Sequence, residues 1–296
     1  LSRDDTLEAE LKLSVNTGRV ALCGSLFVLG LTACMQLATD STGSAATEVL
    51  TAIDPLQFVD PLIGTDGKGK TYPGATVPYG MVQLSPDNGR TGWDWIAGYF
   101  YPDTMIAGFS HTHLSGTGAG DLYDISFMPL RLPFKREKTD GGPAAGTLVS
   151  SFSHQQEQAK AGYYQVYLPD YRVNVELTAG LRTGYQRYRF DEVQAANSAP
   201  LIRLDLGYSR NWDKTTETHF RLIDPYTIAG YRKSTGWAKD QRVYFYSRLS
   251  VPVAQHQLQL DGKILSTTEA SGQDLAVELE FLFADSPLSV PKEVRI

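Results

Sequence analysis

Trp93-Asp94-Trp95 lies between Gly92 and Gly98, a grouping suited to holding a sugar. Indole rings present broad apolar faces that stack on the C–H faces of a pyranose, and a neighbouring carboxylate accepts hydrogen bonds from hydroxyls. Either tryptophan alone could belong to a core, but two of them in a loop this rich in turn residues favour a ligand surface. Trp237, within Gly236-Trp237-Ala238-Lys239-Asp240-Gln241, has the same two readings.

His111-Thr112-His113 places imidazoles at i and i+2. In a strand that spacing turns both to one face, a geometry metals use, with Asp121 or Asp124 as a third ligand. A lone pair of this kind more often belongs to a hydrogen-bonded loop. The residues after it, from Ser115 to Asp121, form a dense glycine-rich turn that offers amides and hydroxyls to a ligand. Gly64 to Thr71 spells the phosphate-loop pattern G-x-x-x-x-G-K-[ST]. That mechanism needs a helix directly afterwards. Tyr72 to Gly80 instead contains two prolines and two glycines, which cannot extend one, so the stretch reads as a loop whose backbone approaches another surface closely. Neither G-x-S-x-G nor H-E-x-x-H occurs, and no pair of carboxylates stands out as acid and base.

Strands must position these loops. Short alternating or aromatic runs recur between turn residues at Tyr163–Leu168, Val173–Thr178, Tyr185–Phe190, Leu201–Leu206, Thr227–Tyr231, Val243–Leu249 and Val277–Phe283. Their spacing and β-branched content predict an all-β sandwich. Residues 135–162 read as a polar loop, a strand at Gly146–Phe152 and a Gln-rich turn. After residue 50 no amphipathic helix exceeds about three turns. The net charge is −6 with no long basic stretch, which excludes nucleic acid as a partner.

The two cysteines, Cys23 and Cys34, both lie near the start, so no disulfide framework or cysteine-based metal site is expected beyond them. Arg19 precedes the apolar run 20–34, which ends Leu31-Thr32-Ala33-Cys34. That run is short for a membrane span but suits an export signal, and its last four residues look like a lipoprotein cleavage site with Cys34 as the lipidated residue. The expected organisation is a signal-bearing extension over 1–34, a flexible tether over 35–54, a sandwich over 55–285 and a cut-off end over 286–296.

The long strings FVDPLIGTDGKGKTYPGATVPYGMVQLSPD and GWDWIAGYFYPDTMIAGFSHTHLSGTGAGDLYDISFMPL strongly resemble the N-terminal region of glycoside hydrolase family 92. Echoes at AGYYQVYLPDYRVNVELTAGLRTGYQRYRF and GYRKSTGWAKDQRVYF extend the likeness over roughly residues 56–250. The resemblance implies a large N-terminal β-sandwich that normally packs on an (α/α)6 barrel. It implies a calcium-dependent, inverting exo-α-mannosidase acting on N-glycans or mannan, with the catalytic acid and base and most calcium contacts on the barrel, outside this chain. It further implies that sandwich loops complete the sugar pocket, which nominates Gly74, Trp93, Asp94, Trp95, His111, His113, Ser115 and Trp237 as substrate-binding residues. Family members commonly carry histidine where Lys68 and Lys70 stand, so any role of those imidazoles does not transfer. The expected product is exported, periplasmic or at the cell surface, with a possible lipid anchor in a membrane; mannose-containing glycans and the barrel are its partners. The rival readings are a stand-alone glycan-binding lipoprotein and a structural domain without a ligand site.

Overall fold

The computed structural model describes residues 53–116, 118–135, 147–192, 199–281, 283 and 292–296. The signal reading, Cys34 and all of the tether except Ile53 and Asp54 lie outside these residues. Among the described residues there is no α-helix, only strands and three short 3-10 turns, and so no helix long and apolar enough to cross a membrane.

The largest sheet runs β1 (Ala75–Thr76), β2 (Gln83–Asp87), β4 (Gly108–Ser110), β5 (Ser126–Leu130), β11 (Leu201–Asp205), β18 (Leu275–Phe281), β15 (Val253–Leu260) and β16 (Lys263–Leu265). A second sheet runs β19 (Lys292–Arg295), β10 (Gly184–Phe190), β9 (Val173–Ala179), β8 (Tyr163–Leu168) and β7 (Glu157–Lys160). The third is β14 (Gln241–Arg248), β13 (Thr227–Thr235), β12 (Lys214–Asp224) and β17 (Glu269–Gly272), and β3 (Met105–Ile106) pairs with β6 (Ser150–Ser151). Every pairing is antiparallel.

Period-two patterning explains the layers. On β8, Tyr164, Val166 and Leu168 are buried while Tyr163, Gln165 and Tyr167 are not. The register sets Val166 opposite Val175 and Leu168 opposite Val173. Across the large sheet, Phe127, Leu204, Val277 and Leu258 form a cross-strand row, each almost wholly shielded from solvent. Burial of one such side chain contributes about 1.5–3 kcal/mol, and both inner faces belong to one continuous core. The predicted all-β sandwich is therefore the observed architecture.

Several expectations change. Glu157–Lys160 is strand β7 rather than a turn, paired along β8 from Glu157 opposite Val166 to Lys160 opposite Tyr163. Within the stretch 286–296, Lys292–Arg295 forms an edge strand on β10, with Val294 buried opposite Tyr188. Strand β12 escaped prediction because its buried positions include Thr215 and Thr218 beside Phe220, so apolar alternation is absent although Thr218 is satisfied by the Gly272 carbonyl at 2.9 Å.

Candidate functional site

Four loops gather around Gly116 and the segment Gly118–Tyr123. The loop after β2 carries Trp93, whose ring lies over Gly118: a methyl there would sit 3.2 Å from the indole. The Gly92 N–H donates to Asn211 Oδ1 at 2.7 Å, joining this loop to the one between β11 and β12. The latter carries Trp212, whose N–H donates to the Gly120 carbonyl at 2.9 Å. The β13–β14 hairpin tip carries Trp237, whose N–H donates to Asp121 Oδ2 at 2.8 Å. Gly236 is required there, because a Cβ would fall 2.1 Å from Asp121 Oδ1. The fourth loop, 64–71, is fastened where the Gly116 N–H donates to the Lys70 carbonyl at 2.6 Å.

Three indoles therefore stand exposed on loops fixed to one backbone segment: Trp93 at 62%, Trp212 at 56% and Trp237 at 67% of full accessibility. Trp93 and Trp237 are sequence-nominated; Trp212 is not. Its signal was available, as a tryptophan set between the polar pairs Arg210-Asn211 and Asp213-Lys214 where one strand ends and another begins. Beside Trp93, the half-exposed Asp94 carboxylate pairs with the buried Lys70 ammonium at 2.6 Å. Lys70 also donates to the Gly67 carbonyl at 2.7 Å and lies 5.4 Å from the Phe100 ring centroid. This buried cation thus orients a rim carboxylate. Lys68 is exposed.

The other nominated residues lie elsewhere or face inward. Trp95 is half-buried: its indole N–H donates to Asp103 at 2.9 Å, the Arg90 guanidinium lies over its ring and Phe100 packs edge-on. Gly74 is buried; a Cβ would fall 2.2 Å from the Leu84 carbonyl oxygen, so it serves the close packing of the chain against β2. Ser115 is exposed on the turn beside Gly116.

The histidines do not converge, because β4 ends at Ser110 and the one-face rule of an extended strand no longer holds. His111 Nδ1 donates to the Ile125 carbonyl at 2.7 Å, and its ring packs edge-on against Phe127. Burial pushes its pKa down to about 4, so the ring is neutral. His113 is buried on another side, with Nδ1 at 2.7 Å from the Gln83 carbonyl and Nε2 at 2.9 Å from Asp87 and 3.1 Å from Ser110 Oγ. Both imidazoles are thus tied into the protein, and His111 also lines a cavity beside Arg182, Gly184 and Tyr244.

Asp121 and Asp124, the candidate third ligands, are engaged as well. Asp121 also accepts from Leu122 N and Gln241 Nε2. Asp124 accepts from Thr112 Oγ1 at 2.7 Å and from Arg232 at 2.6 Å. Among the described residues, no group of three or more His, Cys, Asp or Glu side chains is arranged to hold a metal. Among the described residues, the carboxylates near the rim are already engaged and do not form a calcium site.

Beneath the rim, Arg232 of β13 is wholly buried. It pairs with Asp124 and Asp213 and donates to the Tyr208 and Leu206 carbonyls and Thr215 Oγ1. One guanidinium thereby holds the Trp212 loop and the 118–125 segment on the same strand. Burial raises the Asp213 carboxyl to about 6 against the pull of Arg232.

The sequence matches the family model described as the glycosyl hydrolase family 92 N-terminal domain over residues 58–290. A family GH92 α-mannosidase from Bacteroides thetaiotaomicron, solved in complex with mannoimidazole, is 34% identical and superposes with a TM-score of 0.72, covering 81% of this chain and 31% of that one. The family GH92 inverting mannosidase from Bacteroides thetaiotaomicron VPI-5482, at 24% identity and a TM-score of 0.62 over 81% of this chain and 30% of that one, shares the fold. An uncharacterized secreted glycosidase of Arthroderma benhamiae is 42% identical over 65 residues, which is 22% of this chain and 8% of that protein. The chain thus spans about a third of the solved chains it matches.

Proposed function

Because the chain belongs to glycosyl hydrolase family 92, through that family's N-terminal domain, we propose that it is the sugar-contacting domain of an exported exo-α-mannosidase acting on N-glycans or mannans. One observation carries this reading: Trp93 is exposed, fixed over Gly118, and flanked by a carboxylate that Lys70 holds in place. An indole face beside an oriented acceptor is what a pyranose requires, apolar on one side and hydroxyl-rich at its rim. The mannoimidazole bound by the Bacteroides α-mannosidase supports mannose as the sugar.

In this reading, inversion is performed by an acid and base set roughly 6.5–9.5 Å apart on the remainder of the full-length enzyme. Calcium dependence resides there too, export follows from the 20–34 signal, and lipid attachment is at Cys34. The 296-residue chain, supplied with calcium, should hydrolyse no aryl α-mannoside, yet should show saturation transfer to methyl α-mannoside by ligand-observed NMR that Trp93→Ala abolishes. Turnover by the chain would relocate the carboxyl pair into the sandwich. Absence of binding, or binding indifferent to Trp93, would remove the sugar-contacting role.

A further inference from the structure

Trp212 is a large apolar side chain held out to solvent by a loop whose neighbouring residues are anything but loose. Asn211, with φ at +55°, accepts from Gly92 N and donates from Nδ2 to the Tyr123 hydroxyl at 3.3 Å. Asp213, on its other side, is buried against Arg232. The indole between them thus projects from a braced backbone, and an unsatisfied apolar face held this way marks a binding surface rather than a packing accident.

Its placement identifies the ligand class. The anchors of Trp93, Trp212 and Trp237 fall on Gly118, Gly120 and Asp121, at most about 11 Å of extended chain. Indoles on loops anchored that close together suit successive rings of one oligomer. Polar groups stand beside them: the ion pairs of Lys70 with Asp94 and of Asp240 with Arg242, and the exposed Lys68, Lys214 and Lys239, supply donors and acceptors to hydroxyls around a stacked ring.

We propose that Trp212 and Trp237 form a second sugar subsite next to Trp93, so that the rim grips an oligosaccharide at more than one ring. The inference rests on the sugar-contacting role proposed above and adds a specificity element to it. The two indoles read the penultimate units of a glycan, making chain length the property they select.

The test compares mannotriose with methyl α-mannoside by ligand-observed NMR titration of the 296-residue chain, wild type, Trp212→Ala and Trp212→Phe. The expected result is that Trp212→Ala weakens mannotriose about tenfold more than it weakens methyl α-mannoside, with Trp212→Phe recovering most of the difference because it keeps a stacking face. Equal loss for both sugars, or no loss for either, overturns the second subsite while leaving the first intact. A wild-type chain that binds neither sugar overturns the subsite together with the function it rests on.

Discussion

Replacing Asp213 by asparagine isolates the electrostatics under the rim. In the folded chain this carboxylate and that of Asp124 share the single guanidinium of Arg232, all three out of solvent. Two negative charges against one positive leave an uncompensated buried charge, and burial lifts the Asp213 carboxyl from 3.8 to about 6. The folded state then binds that proton more tightly than the unfolded state does. Its contribution to stability is full below about pH 4 and is lost as pH rises through about 6. A carboxyl shifted this far moves the folding equilibrium by about 3 kcal/mol over that interval. Asparagine keeps an oxygen that accepts from Arg232 but cannot titrate. Urea unfolding followed by tryptophan fluorescence, from about pH 4 to about pH 7, should show the variant gaining on the wild type by up to about 3 kcal/mol as pH rises. Two stability curves separated by a constant gap would refute the uncompensated-charge argument.

Leu204→Ala, at the centre of the Phe127–Leu204–Val277–Leu258 row, should cost about 2–5 kcal/mol, seen as a lower urea midpoint with unchanged slope; a loss well under about 1 kcal/mol would mean the site is not tightly packed. Gly236→Ala should cost about 1–3 kcal/mol, because its Cβ would displace Asp121 from the Trp237 N–H. Acrylamide quenching of the indole fluorescence should rise with it, and unchanged quenching would show that the hairpin tip does not depend on that bond.

The sandwich was legible where one face is apolar and the other polar. Tyr163–Leu168 is read to the residue, and the runs around β9, β10, β11 and β18 are read to within two residues at either end, because alternation alone decides them. Strands of the third sheet were read short or missed, since threonine and arginine fill inward positions there and hydrogen bonding rather than hydrophobicity justifies their burial. The same distinction divides the site. Trp93 and Trp237 could be found from glycine-flanked loops, whereas the inward turn of His111 and His113 depends on where β4 stops, which no spacing rule encodes. Arg232 lies more than a hundred residues from Asp124 in sequence, and only the tertiary fold brings them together.

The Gly118–Tyr123 segment has a consequence for how such a surface can change over time. It holds Leu122 and Tyr123 at positive φ, a conformation that costs roughly 1–3 kcal/mol per residue and is retained only where the surroundings enforce it. It grips Trp212 and Trp237 through their backbone N–H groups. Main-chain contacts are indifferent to the side chain above them. Those two tips can therefore be exchanged one at a time, tryptophan for another residue, without re-solving the fold beneath. The segment acts as a tool holder, its own sequence tightly constrained, and what the rim recognises can diverge among descendants through the interchangeable bits it carries.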